Sequence, residues 1–303
     1  LLDIGQGSRH SKKWKMPGTS PAKKRKKMNE KLGVVLSGGG VRGIAHIGFL
    51  KALEENGIHP KFISGASAGA LVGALYAAGY SPGDMVNFFK TTPIFKFSFY
   101  SSSKPGLLDS EKYRIFFEKY FPENNFFALE KSLFVVATDL GNAHPHFFRK
   151  GNLIKPLLAS AALPPLFSPV EIEGVLYADG GIMCNLPVEP LEKGCHRIIG
   201  SFVNPVRRLP KKHFTSTMKI FQRASDLRFY ADSKSKFHLC DYVFEPQSLS
   251  KINLLDTRNI DKVFEIGYRE ALESMDDIVK ALLQPKNIFY SKESSQQEYF
   301  SFD

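Results

Sequence analysis

The stretch Leu32-Gly-Val-Val-Leu-Ser-Gly-Gly-Gly-Val-Arg-Gly43 decides how the rest of the chain is read. Leu32 to Ser37 is a short apolar run suited to a buried strand, and Gly38 to Gly43 is a glycine loop. Ile44 to Asn56 then carries Ile47, Leu50 and Leu53 at helical spacing and stops at Gly57, a natural C-terminal cap. Lys61-Phe-Ile-Ser64 is a second short strand. It runs into Gly65-Ala-Ser-Ala-Gly69 and then into small and apolar residues, Ala70 to Ala78, that suit a buried helix. Two strands joined through a helix make a parallel βαβ unit. Further strands are expected at Leu133 to Thr138, His146 to Arg149, Val175 to Ala178, Arg197 to Phe202 and Tyr242 to Phe244, and a closing helix from Ile260 to Leu283. The alternation predicts an α/β fold of three layers, α/β/α, around a mainly parallel central sheet.

Gly38-x-Gly40-x-x-Gly43 between a strand and a helix has the spacing of a dinucleotide-binding loop. That reading needs an acidic residue at the end of the next strand, where this chain has Gly65-Ala-Ser67 instead. A P-loop fails as well, because Ile44 follows Gly43 where Lys would be required. What remains is a set of bare backbone N–H groups at a helix N-terminus, whose partial positive charge suits an anion. A tetrahedral acyl intermediate is such an anion, and Gly38, Gly39 and Gly40 let the backbone approach it with no side chain between. The plainer alternative is a glycine turn used for close packing. Arg42 has two readings, as a clamp that fixes the loop by bonding to backbone carbonyls or as a ligand for a lipid phosphate.

Gly65-x-Ser67-x-Gly69 between a strand and a helix is a nucleophile-elbow pattern, in which small neighbours permit a sharp turn that exposes the serine hydroxyl. Such a serine needs a base. His196, His213 and His238 follow in the chain order of hydrolase triads, but none stands in a convincing catalytic turn. Asp179-Gly-Gly181 after the strand Val175-Leu-Tyr-Ala178 offers a carboxylate on an uncluttered turn, either structural or catalytic.

Together the three motifs resemble those of the patatin-like phospholipase family: a Gly-Gly-Gly-x-Arg-Gly loop, a Gly-x-Ser-x-Gly elbow and an Asp-Gly-Gly turn, in that order. The likeness extends from about Leu32 to Leu283. It includes Ala161-Ala-Leu-Pro-Pro-Leu-Phe-Ser-Pro169 and Asn185-Leu-Pro187, which look like the family's small single-domain bacterial members. The resemblance implies a Ser-Asp dyad, with Ser67 as nucleophile and Asp179 taking its proton and returning it to the leaving alcohol. It also implies an oxyanion hole from Gly38, Gly39, Gly40 and the N–H of Ala68, turns shaped by Gly43, Gly65, Gly69, Gly180 and Gly181, and no metal or other cofactor. The implied substrate is a lipid or other acyl ester, cleaved as by a phospholipase A or lysophospholipase. A thioesterase or small-ester hydrolase with the same site, and a scaffold that binds membranes or partners without turnover, are the alternatives.

The chain's charge of +11 is unevenly spread. Residues 1–31 hold ten basic side chains against Asp3 and Glu30, including Lys23-Lys-Arg-Lys-Lys27, which leaves only +3 for the other 272 residues. The division expected is therefore a basic, disordered tail at 1–31, a catalytic domain at 32–283 and a polar tail at 284–303. The modest charge of the domain argues against a nucleic-acid partner, while the basic tail suits peripheral contact with anionic membranes or simple solubilisation. Three cysteines at no ligand spacing point to a reducing, cytoplasmic setting. His144-Pro-His146 near Asp139 has the look of a metal pair but no further ligand cluster beside it. The pairs Phe88-Phe89, Phe116-Phe117 and Phe126-Phe127, with Phe95 to Tyr100, are expected to pack in the core, with an acyl groove or cover as the alternative.

Overall fold

A computed structural model describes residues 29–92 and 105–284. The basic run Lys23 to Lys27, the stretch Phe95 to Tyr100 and all but the first residue of the polar tail lie outside the described residues. The strands are β1 (Leu32–Leu36), β2 (Phe62–Ala66), β3 (Ser132–Asp139), β4 (His144–Phe148), β5 (Val170–Ile172), β6 (Val175–Asp179), β7 (Arg197–Ser201) and β8 (Tyr242–Phe244). The helices used below are α1 (Ala45–Glu55), α2 (Ala68–Ala77), α3 (Pro82–Thr91), α4 (Arg114–Tyr120), α5 (Ile154–Ser160), α6 (Glu189–Glu192), α7 (Thr217–Lys234), α8 (Ile260–Glu273) and α9 (Met275–Leu283).

One mixed sheet organises the domain. β3, β2, β1, β7 and β8 run parallel in that order, and β4, β5 and β6 join antiparallel at the β3 end. The alternation of side chains sorts the interior into two faces. Val34, Leu36, Ile63, Leu133, Val135, Ile199 and Phe244 join the large core built with α1, α2, α5, α8 and α9. Val35, Ile198 and the half-buried Phe62, Phe134 and Val243 pack on the other side against Leu186, Val188, Leu191, Cys195 and Cys240. The three layers are thus unequal, the second being thin where it rests on the four-residue α6.

β3 is shared in an unusual way. β2 lies beside Ser132 to Val136, and β6 beside Ala137 to Asp139. β4 overlaps both of these stretches, so it occupies the opposite edge. β2 and β6 therefore run toward each other along one edge of β3, and their C-terminal residues, Ala66 and Asp179, face the adjacent residues Val136 and Ala137.

Two expectations need correction. The closing helix is broken at Ser274, where the Glu270 carbonyl accepts from both the backbone N–H and the hydroxyl of Ser274, so α8 and α9 are separate. β5 has no counterpart in the sequence reading. The Phe pairs mostly do what core aromatics do: Phe88, Phe89, Phe117 and Phe126 are buried, with Phe88 edge-on to Phe89, Phe117 and Tyr120, while Phe127 is exposed.

Candidate active site

The site lies at the C-terminal ends of β1, β2 and β7, where parallel strands release their loops. Ser67 follows β2 directly and opens α2 with φ 51° and ψ −125°, a left-handed conformation costly for a residue with a Cβ. Two contacts hold it there. Its N–H donates to Ser160 Oγ at 2.8 Å, and its carbonyl accepts from the N–H groups of Ala70 and Leu71. The elbow brings Gly69 hard against β1, so that a Cβ at that position would lie 2.3 Å from the Leu36 carbonyl oxygen. Glycine is required there by close approach rather than by conformation.

Asp179 ends β6 and is buried, whereas Ser67 is half-buried. Ser67 Oγ donates to Asp179 Oδ2 at 2.6 Å, and Gly181 N–H donates to Oδ1 at 2.7 Å. Thr138 Oγ donates to the Asp179 carbonyl, and the Asp179 N–H donates to that of Ala162. Burial pushes the carboxyl up from its ordinary 3.8 to about 6, against the pull of the two hydrogen bonds from Ser67 and Gly181.

The glycine loop is anchored by its neighbour Ser37 and by two residues far away in sequence, Asn204 and Leu254. Ser37 Oγ and Asn204 Nδ2 both donate to the Gly38 carbonyl, and Val41 N–H donates to the Leu254 carbonyl. Gly38 N–H donates to the Asn185 carbonyl at 3.1 Å, so this amide is already occupied; that corrects the expectation of three glycine donors. The amides of Gly39, Gly40 and Ala68 have no acceptor among the described residues. Arg42 is buried, with Nε donating to the Ile252 carbonyl and Nη1 to Asp226 at 3.0 Å. The geometry favours the clamp over the phosphate ligand.

The site also contains His46, which sequence reasoning passed over, and Asn185, which it gave no role. His46 is fully buried beneath the loop, and burial pushes it down to about 4. A carbonyl can only accept, so Nε2 carries the proton toward Ser37 O at 2.9 Å and Nδ1 accepts from Ser201 Oγ at 2.8 Å. The Asn185 N–H donates to Asp232 Oδ2 and its Nδ2 donates to Ser233 Oγ, tying the loop to α7. His196, His213 and His238 are exposed, and among the described residues none hydrogen-bonds to Ser67 or Asp179. Asp139, near the histidine pair, instead caps the β3–β4 turn through Gly141 and Asn142.

A cavity of about 900 Å³ opens beside the pair, with Leu163, Pro164, Ile182, Phe229, Leu254 and Leu255 in its wall. Ser67 and Asp179 are not themselves in that wall, but neighbours of Asp179 and of the glycine loop are. Ile182 belongs to the Asp179 turn, Leu163 follows the Ala162 that accepts from Asp179, and Leu254 holds Val41 next to Gly40.

These features define a class: an α/β protein with a serine on a strained strand-to-helix elbow, hydrogen-bonded to a buried carboxylate beside a glycine loop. The family model for patatin-like phospholipase matches residues 34–192, a little over half of the chain, and the chain belongs to that family. An uncharacterised NTE family protein of Mycobacterium bovis is 33% identical over 179 residues, which is 58% of this chain and 49% of that protein. Lysophospholipase NTE1 of Cryptococcus neoformans var. neoformans is 33% identical over 187 residues, 58% of this chain and 11% of that protein. The chain therefore spans about half the length of the mycobacterial relative and a small part of the fungal one. VipD from Legionella pneumophila has the same fold, with a TM-score of 0.56 at 16% identity over 82% of this chain and 67% of that one.

Proposed function

We propose that this chain is a serine acyl hydrolase that cleaves carboxylic ester bonds of lipids, in the manner of a phospholipase A or lysophospholipase. The observation that carries the reading is the 2.6 Å hydrogen bond from the elbow serine, Ser67, to the buried Asp179. Ionised Asp179 takes the hydroxyl proton as Ser67 Oγ attacks the ester carbonyl, and the proton passes to the leaving alcohol as the tetrahedral intermediate collapses. Water then attacks the acyl-enzyme with Asp179 again as base, and Ser67 is released. A carboxyl pushed up to about 6 is a stronger base than an ordinary one and is still mostly ionised at neutral pH. The amides of Gly39, Gly40 and Ala68 are the donors for the oxyanion, each worth about 3 kcal/mol in comparable sites.

The apolar cavity supports a long acyl chain over a small ester, and the intact pair supports turnover over a silent scaffold. A fluorophosphonate probe should label the protein at Ser67. The Ser67→Ala variant should resist labelling and lose at least about a thousandfold in lysophosphatidylcholine hydrolysis. Equal labelling of the variant would overturn the assignment.

A further inference from the structure

We propose that α7 and the connector before it form a membrane-docking face, which seats the mouth of the cavity on an anionic phospholipid bilayer and holds a lipid phosphate in a basic pocket. This rests on the lipid-ester reading of the site. The domain's small net charge hides a local excess. Between Glu192 and Asp226 the chain has no acidic residue, yet it carries Lys193, Arg197, Arg207, Arg208, Lys211, Lys212, Lys219 and Arg223.

The fold gathers part of this charge around one pocket of about 210 Å³, walled by Arg42, Arg207, His213, Lys219, Arg223 and Lys251. Its one acid, Asp226, is held by Arg42. Among the described residues no carboxylate pairs with Arg207, Lys219, Arg223 or Lys251. Lys219 Nζ donates to Thr215 Oγ1, and Arg223 Nη2 to the Arg207 carbonyl. Four cationic side chains around one small hollow suit a phosphate.

Exposed apolar side chains distinguish a bilayer from free phosphate or nucleic acid. Ile220, Ala224, Leu227 and Ala231 form one exposed stripe on α7, with Ile220 at 55% and Leu227 at 45% relative exposure. Phe214 and Leu255 are exposed nearby, on the connector and in the cavity wall. The acids of α7 turn inward, Asp226 to Arg42 and Asp232 to the Asn185 N–H, so the outward face is left basic and apolar. That is the composition of a helix lying in a membrane interface. The two hollows share Asn253 in their walls, so a lipid headgroup at one is beside the acyl cavity of the other.

The test uses the full chain and two variants, Arg207→Glu/Lys219→Glu and Ile220→Ser/Leu227→Ser, with Ile115→Ser as a control at an exposed apolar residue of α4. Co-sedimentation is read with vesicles of about three parts phosphatidylcholine to one of phosphatidylserine, with pure phosphatidylcholine, and against inorganic phosphate and a single-stranded RNA. Both variants should lose about tenfold or more in binding to the anionic vesicles, while the control and the hydrolysis of a soluble short-chain ester stay unchanged. Folding is checked by thermal melting, and the charge variant, which alters only exposed side chains, stands in if the other does not fold. Wild-type binding by both variants would overturn the proposal. So would tight, variant-sensitive binding of RNA or free phosphate with none to vesicles. Loss of ester hydrolysis in the wild type with vesicle binding intact would instead remove the hydrolase reading.

Discussion

On the proposed mechanism Asp179 must be ionised to take the Ser67 proton, so kcat/KM for a soluble ester should fall on the acid side with an apparent pKa of about 6 and stay level above it. A limb near neutrality that vanishes when His196, His213 or His238 is replaced would mean a different base. The same burial makes the carboxylate a liability for stability. Its folded pKa is raised, so its favourable contribution is complete below 3.8 and is lost as pH rises through about 6. Asp179→Asn should therefore resist urea better than wild type at about pH 8, by on the order of 2 kcal/mol, and show no such gain at about pH 3.5. His46 runs the other way. Its folded pKa is depressed, so its contribution is present above 6.5 and lost as pH falls toward 4, and acid lability should persist in the Asp179 variant. Ser67, Asp179 and the glycine loop were legible because each motif is local. Ser160 and Asn204 were not, since they act on partners 93 and 166 residues away. His46 gave no signal because a buried neutral histidine looks like any other histidine in a helix.

At the scale of elements, the strands were legible as apolar runs, but their directions were not. A buried strand reads the same whether it pairs parallel or antiparallel, so the antiparallel pairing of β6 with β3 and of β5 with β6 came only with the fold. Nor did spacing reveal how closely α8 crosses α1. A Cβ at Gly267 would lie 2.1 Å from the Ala45 carbonyl oxygen, and one at Gly48 would lie 2.3 Å from that of Phe264. Helix propensity alone would make Gly267→Ala stabilising by about 1 kcal/mol. The crossing should reverse that sign, to a net loss of roughly 1–3 kcal/mol in denaturant unfolding. A gain in stability would mean that the two helices separate freely.

Across the whole molecule, charge divides the labour. We propose residues 32–283 as the catalytic unit and residues 1–31 as an accessory. The tail's net +8 attracts anionic surfaces at long range without orienting the domain, whereas the α7 face sets which side arrives. Deleting residues 1–31 should weaken binding to anionic vesicles in a salt-sensitive way and leave soluble-ester hydrolysis unchanged. Binding that is salt-insensitive and survives the deletion would move the contact wholly to the domain. Among the described residues no helix is long and apolar enough to cross a membrane.

The eight residues of β3 act as a ruler for the chemistry. Five are taken up by β2 and three by β6, with no gap between. Ser67 and Asp179 are 112 residues apart in the chain, yet their spacing is graduated by this third strand, which carries neither of them. Loops that join the strands can lengthen or shorten without changing the reading. A single residue inserted between Val136 and Ala137 would displace one mark from the other by about 3.3 Å, more than a hydrogen bond can absorb. The segment least tolerant of insertion is thus one that holds neither member of the pair.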